Sequence, residues 1–422
     1  MFKNFILIIL FIFAAFCGCQ KEEKEIERPE QIFSKRNVIY EKDTYQNLEE
    51  LWKNYNEQFP SEDAYANWMY AARYADNPDY KTLLMDGLKK YPGNPKLLYL
   101  AGMLKHGAVN DLQGLHYLEK AVKLDPSYTD PWFSLVINYM ERGEIEKFNL
   151  SLRKILESGA IQDEVMDFNY NILSLLKQNA VLITNGDNDT YPGWILTQII
   201  KYRPDVKIVN RNLLNSAWYP LLVINNGVPD FITKSGLDKM REDIEAKLKA
   251  KEMKMPEAGP FSDTLIVRLI DACKRDNTPV YIASTIFETE TVTKYMKQGY
   301  NLGLVTLVFP LDQAYPLVLK NAINVWLNKF RTGSLHSWEL KYSKESNAAK
   351  MLIYNYPSAL YSLLDDVNKY IPDYRLRLFG WYQQNVTNVV DAKKMDDLNK
   401  KWCGFRDIKE IDEWCKKKDY IK

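Results

Sequence analysis

The sequence predicts an N-terminal helical-repeat stack, followed by a small parallel-sheet α/β domain and a helical C-terminal region. Three observations support this fold class. Prolines recur at a fixed interval in the first part, apolar segments of strand length alternate with helical patterns in the middle, and helical apolar spacing dominates beyond Tyr315. The 422 residues are enough for two or three domains, and a hydrophobic fraction of 46% can form a sizeable core.

The charge balance argues against nucleic-acid binding. The chain has 56 Lys and Arg residues against 55 Asp and Glu residues, which gives a net charge of +1. Proteins that neutralise nucleic-acid phosphates need a clustered positive excess. We therefore expect no nucleic-acid partner.

The sequence lacks the common signatures of enzymes. It contains no Walker-type phosphate loop, no glycine-rich dinucleotide fingerprint, no G-x-S-x-G elbow and no H-E-x-x-H motif. Only three histidines are present, which leaves little material for histidine-based metal or acid–base chemistry. We lean against enzymatic activity, assign no catalytic residue, and expect no cofactor, with a divalent cation kept as an option.

Residues 1–18 have the pattern of an export signal. A short basic start precedes an unbroken apolar run that ends at Phe16 and is too short to span a bilayer, which takes about 20 apolar residues. The small Gly18 before Cys19 resembles a bacterial lipobox, although Phe16 stands where leucine is usual. We predict lipidation at Cys19, with Cys17 as the weaker acceptor. The alternative is an ordinary cleaved signal with two incidental cysteines.

Residues 19–43 are predicted to form a charged tether. The segment Gln20–Glu25 is poor in apolar residues, so it cannot contribute to a packed core. It also looks like the lysine-plus-two-acids signal that routes lipoproteins to the outer cell surface in one group of Gram-negative bacteria. We expect a lipid-anchored protein of the bacterial outer membrane, and both its surface-exposed and its periplasmic face stay open.

Residues 44–179 are predicted to form a helical-repeat domain with capping helices. Pro92 and Pro126 lie 34 residues apart, which is the period of the tetratricopeptide repeat. This register places the repeat starts at Ser61, Pro95 and Thr129. The pattern resembles the tetratricopeptide-repeat family, whose concave surfaces usually bind peptides or proteins. We expect the repeats to dock a protein partner, and a stacking spacer without a partner is the alternative.

Local signals favour this helical layout. Asn94-Pro95 and Asp130-Pro131 each place a capping residue before a proline at the first helical turn. Small residues such as Gly102 let paired helices approach closely. Helices near Thr44–Phe59 and Asp163–Lys177 are predicted to cap the two ends of the stack.

Residues 180–314 are predicted to form the α/β domain. Four short apolar segments are separated by helical patterns, which is typical of a parallel sheet covered on both faces. The predicted strands are Ala180–Thr184, Val206–Asn210, Pro279–Ser284 and Leu304–Phe309. The predicted helices are Pro192–Lys201, Ser235–Met253, Ser262–Arg275 and Glu290–Lys297.

Several segments of this region are similar to a bacterial membrane-protein family. They are Val181–Pro192, Arg203–Val206 with Val209-Asn210, Leu213–Asn215 with Trp218-Tyr219, and Pro279–Ala283. That family is an uncharacterised-domain group distantly related to protein O-mannosyltransferases, and the similarity covers only its soluble region. The resemblance implies a soluble domain of unknown role, in a family linked to glycan chemistry at the cell envelope. It does not imply transferase activity, because the membrane-spanning catalytic half is not matched.

The Asn185–Thr190 turn is the best candidate for a site. It follows a predicted strand, and ligands of open parallel sheets bind just outside the carboxyl ends of the strands. Acid, amide and aromatic groups around a cleft suit carbohydrate, and Asp187 and Asp189 are weak candidates for ligands of Ca²⁺ or Mg²⁺. The candidate ligand-binding residues are Asn185, Asp187, Asn188, Asp189, Thr190, Asn210, Asn215 and Trp218.

The same turn has a structural interpretation. Asp and Asn side chains cap helices and stabilise turns, and Gly186 permits positive φ. Other polar and aromatic residues are expected on the same rim, namely Asn212, Ser284, Thr285, Tyr191 and Tyr219. The sequence alone leaves both interpretations open.

Residues 315–422 are predicted to be helical and to pack on the α/β domain. Segments such as Pro316–Phe330 and Ala348–Tyr370 have helical apolar spacing. Cys403 and Cys415 could pair in an oxidising compartment, and two free thiols are the alternative.

Two functions are compatible with these patterns. The first is a lipid-anchored binding or scaffolding protein of the cell envelope that docks a protein partner on its repeats. The alternative is a glycan-binding or glycan-processing protein with its site at the Asp187–Asp189 turn.

Overall fold

A computed structural model describes residues 27–104, 112–250, 259–286, 289–387, 389 and 395–420. Helices predominate, and one small mixed sheet lies between helical N-terminal and C-terminal parts, which confirms the predicted fold class. Cys17, Cys19 and the segment Gln20–Glu25 lie outside the described residues. No helix in the described part of the chain is long and apolar enough to cross a membrane.

The chain forms two compact units. Of the described residues, those up to Ile32 and from Tyr40 to Leu100 belong to the first, and Phe33–Ile39 and everything from Ala101 onward belong to the second. The predicted domain boundaries follow sequence patterns instead and stay predictions.

The first unit is helical. Its helices are α1 (Lys42–Gln58), α2 (Glu62–Tyr74), α3 (Tyr80–Lys90) and the beginning of α4 (Pro95–Leu104). The side chains of Tyr45, Leu48 and Trp52 follow helical spacing and form the buried face of α1. Ser61 caps α2 by accepting a hydrogen bond from the Ala64 N–H at 3.1 Å. Asn94 caps α4 in the same way, as predicted, by accepting from the Leu97 N–H at 2.9 Å.

The second unit continues with helices up to the sheet and between its strands. They are α5 (Leu112–Leu124), α6 (Asp130–Glu141), α7 (Ile145–Glu157), α8 (Asp163–Ser174), α9 (Asp187–Trp194), α10 (Tyr219–Asn225), α11 (Lys234–Lys249), α12 (Gly259–Arg275) and α13 (Glu290–Gln298). Helix α9 begins earlier than the predicted Pro192 and runs into a π-helical turn, Ile195–Ile199.

Helix pairs recur along the region predicted to contain repeats. The first helices of the pairs begin at Glu62, Pro95 and Asp130, and the second helices begin at Tyr80, Leu112 and Ile145. This is a helical-repeat-like arrangement, and its assignment to the tetratricopeptide type stays a prediction. A Cβ atom on Gly102 would lie 2.7 Å from the Leu118 side chain, so this position requires a very small residue.

One predicted cap is wrong. Helix α6 begins at Asp130 itself, after Thr129, and the Asp130 side chain does not cap it. The Asp130 carboxylate is buried and accepts a hydrogen bond from the Ser34 hydroxyl at 2.6 Å. It therefore holds the segment Phe33–Ile39, which the sequence places in the charged tether.

The sheet has five strands in the order β2–β1–β3–β5–β4. They are β1 (Val181–Thr184), β2 (Lys207–Asn210), β3 (Val280–Ala283), β4 (Tyr300–Asn301) and β5 (Val305–Phe309). Strand β1 pairs in parallel with both β2 and β3, so these three strands end at the same edge of the sheet. Their side chains are almost wholly buried, as expected for strands covered on both faces.

The predicted all-parallel arrangement is wrong at β5, which runs antiparallel to both β3 and β4. After α13 the chain enters the two-residue strand β4 and turns back at Gly303, whose φ is +91°. Few residues other than glycine adopt this left-handed conformation. Because β4 is so short, the sequence offers no strand pattern for it, and the reversal of β5 follows from that missed strand.

The C-terminal region is helical, as predicted. Its helices are α14 (Tyr315–Lys329), α15 (Trp338–Tyr342), α16 (Asn347–Ile353), α17 (Asn355–Tyr370), α18 (Arg375–Asn385), α19 (Asp396–Trp402) and α20 (Lys409–Lys417). A disulfide joins Cys403 to Cys415, with a Cα–Cα distance of 5.7 Å. Of the two arrangements that the sequence leaves open for these cysteines, the structure has the paired one.

Candidate functional site

Polar residues gather at the carboxyl ends of β1, β2 and β3. We call this set the polar rim and define it as residues 184–190, 210–215 and 284–285. In the order β2–β1–β3, strand β1 has its successor β2 on one side and β3 on the other, so the strand order reverses beside β1. In open α/β sheets a crevice is expected at such a switch point. Ligands of open α/β sheets bind in such a crevice, so the rim is the expected place for a site.

Asp189 is the centre of the polar rim. Its carboxylate accepts hydrogen bonds from the backbone N–H groups of Asn185 at 2.7 Å and Gly186 at 2.8 Å, and from the Thr285 hydroxyl. The bond to Gly186 is the helix half of a capping box at the start of α9. The bond to Thr285 joins β1 to β3 across the crevice. The side chain is 3% exposed, and this burial raises the pKa of Asp189, although the three hydrogen bonds oppose the increase.

A second buried network joins β1 to β2. The hydroxyl groups of Thr184 and Thr190 lie 2.7 Å apart, and the Asn210 amide donates to the Thr190 hydroxyl at 2.8 Å. The side-chain oxygen Oδ1 of Asn210 accepts from the Leu213 N–H at 2.9 Å, which starts the turn after β2. Tyr219 is buried behind this turn and accepts from the Asn210 N–H at 2.9 Å. These side chains satisfy one another and the backbone.

Asp187 has a different environment. It begins α9 instead of standing in a loop, its side chain is 61% exposed, and its carboxylate lies 2.5 Å from the Arg36 guanidinium. Arg36 also stacks 3.9 Å above the centre of the Phe133 ring. The segment Phe33–Ile39 is fixed further by a hydrogen bond from the Ala348 N–H to the Asn37 carbonyl at 3.0 Å. Asp187 therefore anchors a segment that is distant in sequence.

The remaining predicted residues are spread along the rim. The backbone carbonyl of Asn188 accepts from the Asn169 amide at 2.8 Å, and that of Asn185 accepts from the Asn212 amide at 2.8 Å. Asn215 is exposed and Trp218 is half-buried. The structure thus brings the predicted residues to one edge of the sheet, but most of their polar atoms bond within the chain.

The rim offers little to a metal ion. The carboxylate of Asp189 faces backbone N–H groups, and that of Asp187 faces a guanidinium, so the two acids do not share a site. In the part of the chain that the structure describes, no group of three or more His, Cys, Asp or Glu residues could hold a metal ion.

Three charged residues at this edge, Arg211, Asp263 and Arg241, are not among the residues that the sequence predicts for the rim. Arg211 and Asp263 form a buried ion pair at 2.8 Å. Arg241 donates to the backbone carbonyl of Asn215, and its Nε is buried without a partner among the described residues. The Ser284 hydroxyl is likewise buried and unpaired within the described chain. The position of Arg211 can be predicted from the sequence, because it directly follows a predicted strand. Arg241 and Asp263 lie within helices, and no sequence pattern places them at this edge.

Residues 203–206, which carry part of the resemblance, are also structural. The Arg203 guanidinium donates to the carbonyls of Leu173 and Leu176 and thereby closes the C-terminal end of α8. It also forms a two-pronged pair with Asp205, with both N–O distances at 2.9 Å. This pair and the Asn179 N–H hold the pKa of Asp205 down to about 2.

The fold and the rim define a class of protein in which helical-repeat-like pairs precede a small mixed α/β sheet. Within it, the family model described as TMEM260-associated domain 2 matches residues 165–221. The matched segment begins inside α8, contains β1, α9, the π-helical turn and β2, and ends in α10. It thus supports the central part of the resemblance, and the segment Pro279–Ala283 lies outside it. No curated protein and no solved structure matches the chain.

Proposed function

We propose that this protein is a lipid-anchored binding or scaffolding protein of the bacterial envelope that docks a protein partner on its repeat helices. The observation that carries the proposal is the recurrence of helix pairs beginning at Glu62, Pro95 and Asp130. Helix pairs that recur along a chain are typical of repeat proteins, which usually bind their partners on the surface of the repeats. The internally bonded Asp189 supports a structural role for the rim, which favours the repeats as the recognition surface.

The proposed lipid anchor rests on the sequence alone, because Cys19 lies outside the described residues. Cys19 follows an apolar run and a small residue, as a lipidated cysteine does. Substituting Cys19→Ser should abolish incorporation of labelled palmitate and release the protein from the outer-membrane fraction. The matched Cys17→Ser variant should behave as the natural protein does. Retained labelling in Cys19→Ser would overturn the assignment.

The docking proposal is tested by photo-crosslinking in native membranes. A photoreactive side chain is placed at exposed positions of the repeat helices, Leu112, Leu124 and Leu150. Matched exposed positions in the C-terminal region, Leu317, Met351 and Tyr361, serve as controls. Since all these side chains already face solvent, the substitutions should leave the fold intact.

The expected result is one protein crosslinked at stoichiometric yield from repeat positions and absent from the controls. Equal yields from both sets would indicate random encounter. Crosslinks confined to the control positions would place recognition in the C-terminal region. Either of these two results would contradict docking on the repeats.

Glycan binding at the polar rim is the second candidate. It is favoured by Arg241 Nε and the Ser284 hydroxyl, which are buried polar atoms without a partner among the described residues. Buried polar atoms normally find partners, so a ligand hydroxyl would satisfy them. Asn215 and the half-buried Trp218 could add an amide and an aromatic face at the same edge. This proposal requires that Ser284→Ala weakens oligosaccharide binding without lowering the melting temperature.

A further inference from the structure

A cavity lies between α7, the π-helical turn, β2 and α10. We call it the α7–β2 cavity. Its volume is about 320 Å³, which is within the range of roughly 300–1,000 Å³ typical of ligand pockets. It belongs wholly to the second compact unit. Tyr219, which the sequence places on the rim, lines this cavity, whereas none of the eight candidate ligand-binding residues does.

The π-helical turn shapes one wall of this cavity. The Ile200 N–H donates to the Ile195 carbonyl at 3.0 Å, a bond across five residues instead of four. The Thr197 hydroxyl donates to the Gly193 carbonyl at 3.0 Å within the same wall. Turns of this kind are rare inside helices and occur frequently at functional sites, because they redirect side chains toward a ligand. Here the turn places Thr197 and Gln198 on the cavity lining.

The cavity has an apolar interior and a polar mouth. The buried side chains of Phe148, Trp194 and Ile208 line its interior. The amides of Gln198 and Asn226 are exposed, so they lie at the solvent side. A ligand that fits must therefore combine an apolar body with a polar head.

Lys207 gives the mouth its charge. Its side chain lines the cavity and is half-buried, and its ammonium group makes no hydrogen bond or ion pair with any described residue. None of the residues that line the cavity is acidic. Asn149, which is also half-buried on α7, adds an amide to the lining. One uncompensated positive charge beside amide donors suits a single negative charge, whereas phosphate dianions usually require arginine forks or several cations.

We propose that the α7–β2 cavity binds an aliphatic carboxylate, with its chain among Phe148, Trp194 and Ile208 and its head on Lys207. Burial of the chain supplies most of the free energy, since apolar surface leaves water. The charge-assisted hydrogen bond to Lys207 selects the acid over neutral amphiphiles. This proposal is independent of partner docking on the repeats.

The test is equilibrium dialysis of isotopically labelled octanoate against the intact protein in lipid nanodiscs, with empty nanodiscs as the blank. Octanol has the same chain without the charge, and acetate has the charge without the chain. The variant Lys207→Met removes the charge and keeps the apolar stem. Lys207→Arg keeps the charge, and Lys234→Met removes an exposed lysine outside the cavity as the matched control.

We expect saturable octanoate binding that Lys207→Met weakens about tenfold, as loss of one charge-assisted bond predicts. Lys207→Arg and Lys234→Met should stay within about threefold of the natural protein. Octanol binding should be equal in all variants, and acetate should not saturate. Equal octanoate affinity in the natural protein and Lys207→Met, or no saturable octanoate binding in the natural protein, would overturn the proposal. If Lys207→Met fails to fold, blocking the mouth with Asn226→Trp should also abolish octanoate binding.

Discussion

The polar rim lies at the carboxyl ends of β1, β2 and β3, whereas the α7–β2 cavity is lined by the beginning of β2. The two regions use their polar groups in opposite ways. At the rim, the Asp189 carboxylate bonds to backbone N–H groups and Thr285. In the cavity, the Lys207 ammonium has no partner in the described chain. The polar groups of the rim therefore contribute chiefly to stability, and those of the cavity are available to a ligand. A sequence segment rich in polar residues, such as Asn185–Thr190, therefore need not be a binding site.

The largest effect should follow from breaking the buried ion pair of the rim. Asp263→Ala leaves the Arg211 guanidinium without its carboxylate in a buried position. We expect a loss of about 3 kcal/mol in the free energy of unfolding, measured by denaturant titration. The matched control is Asp86→Ala, which breaks the exposed pair with Lys89 and should leave the unfolding curve unchanged. Similar losses of stability in both variants would contradict a stabilising role of the buried Arg211–Asp263 pair.

The next effect should distinguish the two acids of the predicted turn. Asp189→Ala removes a buried carboxylate that accepts from two backbone N–H groups, so we expect a loss of about 2 kcal/mol. Asp187→Ala removes an exposed partner of Arg36 and should cost less than about 1 kcal/mol. Thermal and denaturant unfolding of the two variants give the comparison directly. A larger loss for Asp187→Ala would reverse the roles assigned here.

A smaller effect should appear at the Arg203–Asp205 pair before β2. The native pKa of Asp205 is about 2, below its ordinary value of about 3.9, because Arg203 stabilises the carboxylate. A lowered native pKa contributes stability above the unfolded-state pKa, and this contribution is lost as pH falls from about 4 to about 2. Asp205→Asn should therefore be less stable by about 1 kcal/mol at neutral pH, since solvent screens part of the interaction.

The pH dependence provides the check on that prediction. The stability difference between Asp205→Asn and the natural protein should shrink between pH 4 and pH 2. A difference that stays constant over this interval would mean that the pair does not depend on the charge of Asp205.

The smallest effect on stability is expected in the cavity. Since Lys207 makes no bond to the described chain, Lys207→Met should change the free energy of unfolding by less than about 0.5 kcal/mol. A loss comparable to that of Asp189→Ala would show that Lys207 is structural, and the contrast between the rim and the cavity would disappear.

The sequence predicts the helices and strands of this molecule better than the hydrogen-bond partners of its polar side chains. Apolar strands such as Val181–Thr184 and the helix starts near Glu62, Pro95 and Asp130 follow from local patterns. The antiparallel strand β5 does not, because it depends on the two-residue strand β4. Short polar elements of this kind leave almost no periodic signal.

The candidate site shows the same limit. The sequence places Asp187 and Asp189 at a strand end, which is correct, but their partners Arg36 and Thr285 are distant in sequence. The cavity is still harder to predict, since Asn149 and Lys207 come from separate helical and sheet regions. These residues come together only because α7 packs beside the π-helical turn and β2.

We infer that the carboxylates of Asp187 and Asp189 are satisfied within the chain, and calorimetric titration tests this inference most directly. The intact protein, Asp187→Asn and the exposed control Asp86→Asn are each titrated with Ca²⁺ and with neutral oligosaccharides. We predict that Asp187→Asn and the natural protein give the same titration curve with each ligand. The contradicting result is saturable binding that is lost in Asp187→Asn and kept in Asp86→Asn, while the melting temperature of Asp187→Asn is unchanged. The rim would then be a binding site.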